Sequence, residues 1–575
     1  MKKQWHLQSA DEAAAGRLAA ALECHPAVAA VLMNRGVDSP EKARSFIGAS
    51  LAELRSPAGL KDMDKAVARL ARAVTSGEPI LLLGDYDVDG TTATALLLEF
   101  LKSCAADVSY YIPHRLREGY GFQPRHIAEV ALPRKAGLLV TVDCGSTSHS
   151  AVAAARAAGI DVIVTDHHTL KGPIPEAVAV INPKRCDCPS GLGHLAGVGV
   201  AFCLVIALRA HLRQRRFWQG RPEPNLRALC DLVALGTIAD MVPLVADNRI
   251  LAKAGLALLG SVRRPGRAGL MEASGIVDRR AEAEDVAFRL GPRLNAAGRI
   301  GHGGLSVELL TAESMERARV LAQQLSELNS QRRLLEKQVL KEIDAQIVRR
   351  PDLLQRSSLV FAGQGWHEGV IGVVASRVME RTYRPTVVIA LNGSHGRGSA
   401  RSIPGIDLYA CLSACEGRLE ELGGHPQAAG LRIAADQVGA FQEAFEQSVR
   451  RFCRPELLVP VLSIDAELKL SDISAKLADQ LEWLMPYGTG NPEPLFLARD
   501  VRVVSSTPVG TGHRRMLLRQ ASAAAGPCVP AIQFNAGEKE PSHFESMAFN
   551  LRWNHWNGSR TLQVVVAATQ PDGGL

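Results

Sequence analysis

Residues 84–90 read GDYDVDG: Asp85, Asp87 and Asp89 stand on alternate residues and Gly90 closes the run. Carboxylates at that spacing repel one another, so the run implies a cation that holds them. Its outline is that of a calcium loop, D-x-D-x-D-G. Two features argue against that loop. Its twelfth position, which should be a bidentate Glu, is Leu96. It also lacks a preceding helix: Ile80-Leu81-Leu82-Leu83, after Gly77-Glu78-Pro79, reads as a short buried strand. Thr91 to Leu98 reads as the start of a helix. The acids therefore fall on a strand-to-helix turn, where open α/β sheets keep their sites. The bland alternative is a solvated acidic turn, since Asp and Gly are ordinary turn residues.

Strands and helices alternate from about 78 to 245. The clearest unit runs from Ala136-Gly137-Leu138-Leu139-Val140-Thr141-Val142-Asp143 through a helix at Ala151–Ala158 to Ile160–Asp166. Such β-α-β units predict a mostly parallel sheet. Between Thr311 and Arg350 there is no Gly or Pro, and Leu321, Leu325, Leu328, Leu335, Val339, Ile343 and Ile347 mark one apolar stripe. This reads as a long helix joining two halves. A second α/β region follows at 357–450, and short strands beyond 455 suggest a small β-barrel. The expected division is a helical segment at 1–50, a catalytic domain at 51–310, a connecting helix at 311–350, a smaller α/β domain at 351–452 and the barrel at 453–575.

The 575 residues, 47% hydrophobic and 22% charged, have ordinary globular composition. A formal net charge of +7 is compatible with a polyanionic partner without requiring one. The eleven cysteines are scattered, and Cys186 and Cys188 lack zinc-site CxxC spacing, so they read as reduced thiols of a cytoplasmic protein. The opening MKKQWHLQSADEAAAG has no apolar core and does not read as a signal peptide. No unbroken run of 18 apolar residues predicts a membrane span.

Asp143 ends one apolar run in VTVDCG, Asp166, His167 and His168 end the next in VIVTDHH, and Asp240 follows a third in DLVALGTIAD. With Asp85, Asp87 and Asp89 they lie at the carboxyl ends of four expected strands, which in a parallel sheet share one edge. An oxygen-rich cluster with one or two imidazoles suits Mn2+ or Mg2+ better than a closed zinc site. Several carboxylates can hold two metals about 4 Å apart, the arrangement of phosphoester hydrolysis. Neither a P-loop GxxxxGK(S/T) nor a GxSxG elbow is present, which disfavours an ATPase or a serine hydrolase.

GDYDVDG, VDCG, TDHH and GTIAD, in that order, resemble the motifs of the DHH phosphoesterase superfamily. YIPHRLREGYG (111–121), FRLGPRLNAAGRIG (288–301), WHEGVIGVVASR (366–377), GRGSARS (396–402), GGHPQAAG (423–430) and PYGTGNPEP (486–494) are similar to its bacterial single-strand-specific exonucleases, over about 50–565. The resemblance implies a parallel-sheet DHH domain, a DHH-associated domain and an OB-like barrel. It implies removal of mononucleotides from the 5′ end of single-stranded DNA with Mn2+ or Mg2+, in recombination and repair. Asp87 would serve one metal, Asp89, His167 and Asp240 the other, with Asp143 bridging; Asp85 would be a ligand or a neighbour of the ligands. His168 would touch the scissile phosphate, and Asp166 would orient its neighbours. Arg115, Arg293, Asn295 and Arg299 would meet the DNA, the arginines at its 5′ phosphate. Arg397, Ser399, Arg401 and Ser402 would supply charge and hydrogen bonds, with glycines letting backbone N–H groups approach a phosphate. His425 would reach the substrate or sit in a core. On the barrel, Arg514, Arg515, Trp553 and Trp556 are candidate contacts, the tryptophans equally core residues. A single-strand-binding protein and a helicase are the implied partners, and a monomer the expected state. The alternatives are a smaller-substrate phosphodiesterase, acting on short oligonucleotides or cyclic dinucleotides, and a DNA-binding scaffold without turnover.

Overall fold

The computed structural model describes residues 3–170, 172–260, 264–277, 279–522, 526–536, 542–556 and 559–570, without the side chains of 555 and 556. The chain forms two compact units. The first is built from Ser56–Asp240 and Ala254–Pro460, the second from Gln4–Arg55, Met241–Lys253 and Val461–Leu575.

In the first unit, β1 (Ile80–Gly84), β2 (Val108–Tyr111), β3 (Leu138–Val142), β4 (Asp161–Thr165) and β5 (Ala179–Ile181) form an all-parallel sheet of order β2-β1-β3-β4-β5. Every residue of β1 and β3 is buried, which is why these strands read as unbroken apolar runs. Register decides what their ends bring together. Gly84 pairs with Val142 and Val142 with Thr165. The next residues continue the ladder: Asp85 N–H donates to Val142 O, Asp143 N–H to Thr165 O and Asp166 N–H to Ile181 O. Three acids thus stand side by side at one edge.

α1 (Val88–Ser103) starts inside GDYDVDG and is buried from Val88 to Leu98. Its threonines are tolerated there because Thr91, Thr92 and Thr94 donate their hydroxyls to carbonyls one turn back. α2 (Gly197–Gln214) and α3 (Cys230–Ala239) pack against it. By length and apolar content α2 would qualify as a membrane span, although it is no unbroken apolar run; 61% of it is buried inside the fold. α3 corrects the sequence reading. Asp240 caps a helix and does not end a strand. Residues Cys230 to Ile238 are buried on every side, so α3 shows no amphipathic period, and a short uniformly apolar run reads equally as a strand.

α4 (Gly291–Ile300) leads to α5 (Met315–Arg349), the long helix expected at 311–350. Its apolar stripe is interrupted. Leu328 and Leu335 are only half-buried, while Asn329, Arg332 and Glu336 are buried between Leu325 and Val339. Arg332 bonds to Asn329 Oδ1 at 2.8 Å and to Glu336, which also faces Arg377 at 3.1 Å. The second sheet has the order β9-β10-β8-β7-β6, from β6 (Leu359–Gln364), β7 (Thr386–Asn392), β8 (His395–Arg401), β9 (Glu421–His425) and β10 (Ala428–Ala434). α6 (Glu368–Thr382) packs on Val388 and Ala390, and α7 (Val438–Phe452) on Val387 and Ile389, one on each face.

In the second unit β11 (Phe496–Val509), β12 (His513–Gln520), β13 (Val529–Gln533), β14 (His543–Trp556) and β15 (Ser559–Gln570) close into a barrel, because β14 pairs with both β15 and β11. Its core is shared with the N-terminal helices Glu12–Leu22 and Pro26–Asn34: Leu18, Val28 and Leu32 join Leu477, Phe496, Met516 and Phe549.

Candidate active site

The edge acids acquire their geometry from backbone requirements. Asp87 caps α1, its side chain accepting from Gly90 N–H at 3.0 Å. Gly90 closes the motif for closeness: a Cβ there would meet Asp85 O at 2.6 Å. Asp143 has φ of 62°, a left-handed conformation costly for a non-glycine residue and frequent at functional sites. Asp89, buried, accepts from the first N–H groups of α2, Gly197 at 2.6 Å and Val198 at 2.8 Å. Gly236 in GTIAD is what lets α3 come this near, since a Cβ there would lie 2.9 Å from Asp89 Oδ1.

His167 Nδ1 lies 3.1 Å from Leu195 O. A carbonyl only accepts, so Nδ1 carries the proton and Nε2 presents a lone pair. That lone pair faces Asp143 Oδ1 at 3.2 Å and Asp89 and Asp240 at 3.6 Å. Neither His167 Nε2 nor Asp143 Oδ1 makes a hydrogen bond among the described residues. Burial, reinforced by His168, pushes the His167 pKa down to about 3, so the ring stays neutral. Burial and then the neighbouring carboxylates push Asp89 up to about 7 and Asp240 up to about 9. Asp85 and Asp143 are raised for the same reasons. These lone pairs converge on a buried space where the His168 imidazolium, raised against its burial to about 9 by Asp166 and then by Asp85 and Asp87, is outnumbered by carboxylates, and divalent cations fit the remaining donors. Ligand atoms fall into one group of Asp85, Asp87 and Asp143 and another of Asp89, His167 and Asp240, with Asp143 also grouped with His167 and His168. The residues present therefore fit two metal ions.

Asp166 is differently occupied. Its carboxylate accepts from His167 N–H at 2.7 Å, His168 N–H at 3.0 Å, His168 Nδ1 at 2.8 Å and Ser146 N–H at 2.9 Å. These donors, foremost His168, outweigh its burial and hold its pKa well below the carboxylate range. Its geometry is that of a brace for both histidines. Two residues escaped the sequence reading. Asn182, buried just past β5, donates to His168 O and Ser146 Oγ, both at 2.9 Å. Tyr120 is half-exposed, with its hydroxyl 3.3 Å from His168 Nδ1. Asn182 was findable, since β5 is the next strand along the same edge; nothing marked Tyr120 within YIPHRLREGYG.

α4 is pressed onto the acidic turn. Gly298 lies where a Cβ would meet Tyr86 O at 2.4 Å, and Asn295 Oδ1 accepts from Val88 N–H at 3.2 Å. Asn295 thus braces the turn that carries Asp87 and Asp89. Arg299 follows on the same helix. Burial, with Arg115, Arg332 and Arg401 around it, pushes its pKa down to about 10; burial and Arg115 do the same to Arg401. Arg115 also lies over the Tyr86 ring at 5.0 Å. These guanidiniums form a cationic cluster with Glu336 the carboxylate among the influences on Arg299.

GRGSARS differs from its sequence reading. It is β8, paired on both sides, so its backbone N–H groups serve the ladders. Gly396 and Gly398 are small because Ile389, Leu391 and Leu431 pack there. Arg397, Ser399 and Arg401 alternate onto the opposite face, beside α6. Arg401 bonds to Ser399 Oγ at 3.1 Å, and the exposed Arg397 faces Glu368 at 3.4 Å. Ser402 is buried and donates to Ile406 O at 3.0 Å, which turns its hydroxyl inward. Arg293 bonds to Ser326 Oγ at 3.1 Å and to Arg289 O at 2.7 Å. His425 is exposed at the end of β9, so it is no core histidine. On the barrel Arg514 is buried against Ser506 Oγ at 3.0 Å, whereas Arg515 is exposed. Trp553 is partly buried and donates to Asp479 Oδ1 at 2.9 Å; the side chain of Trp556 lies outside the described residues.

Residues 79–237 match the DHH family, N-terminal domain, residues 355–451 the DHHA1 domain, and residues 464–568 the RecJ OB domain. The single-stranded-DNA-specific exonuclease RecJ of Salmonella typhimurium is 38% identical over 530 residues, 88% of this chain and 90% of that protein. The Escherichia coli protein of the same name is 36% identical over 564 residues, 95% and 96% of the two chains. The chain belongs to the RecJ family. The crystal structure of Thermus thermophilus RecJ in complex with Mn2+ superposes with a TM-score of 0.84 at 31% identity, over 100% of this chain and 80% of that one. That RecJ structure contains Mn2+, and a second crystal structure of Thermus RecJ contains Mg2+; both ions suit the oxygen-rich donor set found here.

Proposed function

We propose that this protein is a metal-dependent exonuclease that degrades single-stranded DNA from the 5′ end to 5′-mononucleotides, in recombination and repair. The observation that carries the reading is the unprotonated His167 Nε2 facing Asp143, Asp89 and Asp240 beside a second group of Asp85, Asp87 and Asp143. When bound, two divalent ions supply an activated water and clamp the phosphate oxygens. The chain's own residues do the rest. Asp85, Asp87 and Asp143 would hold one ion; Asp89, His167 and Asp240 would hold the other, with Asp143 near enough to His167 to serve both. Asp166, braced by Ser146 N–H, fixes both histidines. His168, whose Nδ1–H points at Asp166, sits where an imidazole donor can offset negative charge on the phosphate.

Arg115, Arg299 and Arg401 give the reading its polarity. Their charge is short of carboxylates and suits a terminal 5′ phosphate, while Arg397 and Ser399 lie on the same strand face for the following backbone. The OB barrel, with Arg515 exposed, suits a polymer better than a dinucleotide. The relatives named as single-stranded-DNA-specific exonucleases support the substrate. A cytoplasmic monomer recruited by a single-strand-binding protein and a helicase fits the resemblance, and the scattered, mostly buried cysteines fit a reducing compartment.

The test uses Mn2+ and one oligonucleotide labelled at either end. The reading expects immediate release of a labelled mononucleotide from the 5′ end and progressive shortening of the 3′-labelled strand. Turnover of dinucleotides alone would place the protein with smaller-substrate phosphodiesterases. DNA retardation without turnover would make it a scaffold.

A further inference from the structure

At the ends of α1 and α3 opposite the metal centre lies a cavity of about 620 Å3. Glu99 is ten residues from Asp89 on α1, a separation of about 15 Å along a helix. Asp231 opens α3 and Asp240 caps its other end. The cavity is within the volume range of small-molecule sites, roughly 300–1,000 Å3.

Its charges do not balance. Asp231, 1% exposed, accepts from Arg264 Nε at 3.0 Å and from Arg267 Nη1 at 2.8 Å; Arg264 also pairs with Glu99. Arg267 is 3% exposed, and its Nη2 makes no hydrogen bond among the described residues. Burial holds this guanidinium below its ordinary pKa despite Asp231. Lys102 and Arg227 stand exposed in the lining and form no ion pair among the described residues. Of the three lining carboxylates, only Glu313 lies outside the Asp231–Glu99 network. The lining carries one more cation than carboxylates, which suits an anion, and Leu98, Pro265 and Leu310 offer it an apolar wall.

We propose that this cavity binds a small organic phosphate, its head on Arg267, Lys102 and Arg227 and its apolar body against Leu98, Pro265 and Leu310. Buried unpaired guanidinium N–H groups are costly until an acceptor arrives, and the guanidinium fork matches phosphate. The site does not depend on the proposed nuclease reading; only the choice of a deoxynucleotide as probe does.

The test is calorimetric titration of the full chain, in EDTA, with dAMP, ribose 5-phosphate and inorganic phosphate. The variants are the double substitution Lys102→Ala/Arg227→Ala, Arg267→Leu, and Arg401→Ala as a reporter of the active-site cluster. The proposal expects dAMP to bind at least tenfold more weakly to the double variant, unchanged to Arg401→Ala, and more tightly than inorganic phosphate to the wild type. Should Arg267→Leu not fold, the exposed double variant still decides. Absence of dAMP binding overturns the proposal. So does binding lost in Arg401→Ala but kept in the double variant, or inorganic phosphate binding as well as dAMP. Nuclease turnover, measured in parallel, reports separately on the active site.

Discussion

Asp143 Oδ1 lies 3.2 Å from His167 Nε2, and neither atom makes a hydrogen bond among the described residues. With the ring proton held by Leu195 O, the facing atoms are both acceptors. The two atoms repel unless a cation lies between their lone pairs, a metal ion or the proton that the raised Asp143 carboxyl retains without one. Asp143→Asn should therefore act in opposite directions on two quantities. Turnover should fall about 1,000-fold or more. The metal-free protein should melt higher, because one of several crowded carboxylates has been neutralised. Calorimetry in EDTA alongside a nuclease assay reads both.

Metal binding should itself stabilise the fold. Mn2+ at 100 times its Kd adds about 2.7 kcal/mol per site to a state that alone binds it. The rise in Tm on adding Mn2+ should shrink in Asp89→Asn and in His167→Ala, each of which disables the second group.

Asn182 holds the His168 carbonyl and Ser146, and through them the brace on the histidines. Asn182→Ala should lower turnover about 10–100-fold, the usual effect of losing a partner that orients a ligand. The Mn2+-induced rise in Tm should persist, which separates loss of positioning from loss of metal.

Arg401 belongs to the cationic cluster around Arg299 and Arg115. Arg401→Ala should reduce the preference for 5′-phosphorylated over 5′-hydroxyl DNA by about tenfold, as for loss of one charge-assisted contact of 1–2 kcal/mol. Competition between the two substrates in one tube measures that ratio directly.

Glu446 gives a pH dependence far from the metals. Buried on α7, it accepts from Ser357 N–H at 3.0 Å, Ser358 N–H at 2.9 Å, Ser358 Oγ at 2.7 Å and Arg450 Nε at 2.7 Å. Burial alone would raise its pKa, but these donors lower it. A carboxyl with a depressed folded pKa stabilises the protein above its unfolded value of about 4.3, and that stability is lost as pH falls through the folded pKa. Glu446→Gln should cost about 1–2 kcal/mol at neutral pH and less at acidic pH. Denaturant melts at pH 7 and at pH 3.5 check the narrowing gap.

The parallel sheet and its acidic edge were legible because buried parallel strands write themselves as unbroken apolar runs, each ending in its functional residue. Asp85, Asp143 and Asp166 could be aligned from that pattern alone. Asp240 was found by its motif but placed on the wrong element, since α3 is buried on every side and carries no helical period. GRGSARS misled for a related reason: glycine permits close approach, but here the approaching groups are Ile389 and Leu431 side chains, not phosphate. Ser402 and Arg514 looked available because sequence does not show which polar groups bond inward. Asn182 and Tyr120 are single residues whose role arises only when the fold sets them beside His168.

The most direct measurement is anomalous diffraction at the manganese edge from crystals soaked in Mn2+. The account predicts two peaks, one among Asp85, Asp87 and Asp143 and the other among Asp89, His167 and Asp240, with Asp143 touching both. Density in only one group, or none within the cluster, would contradict it.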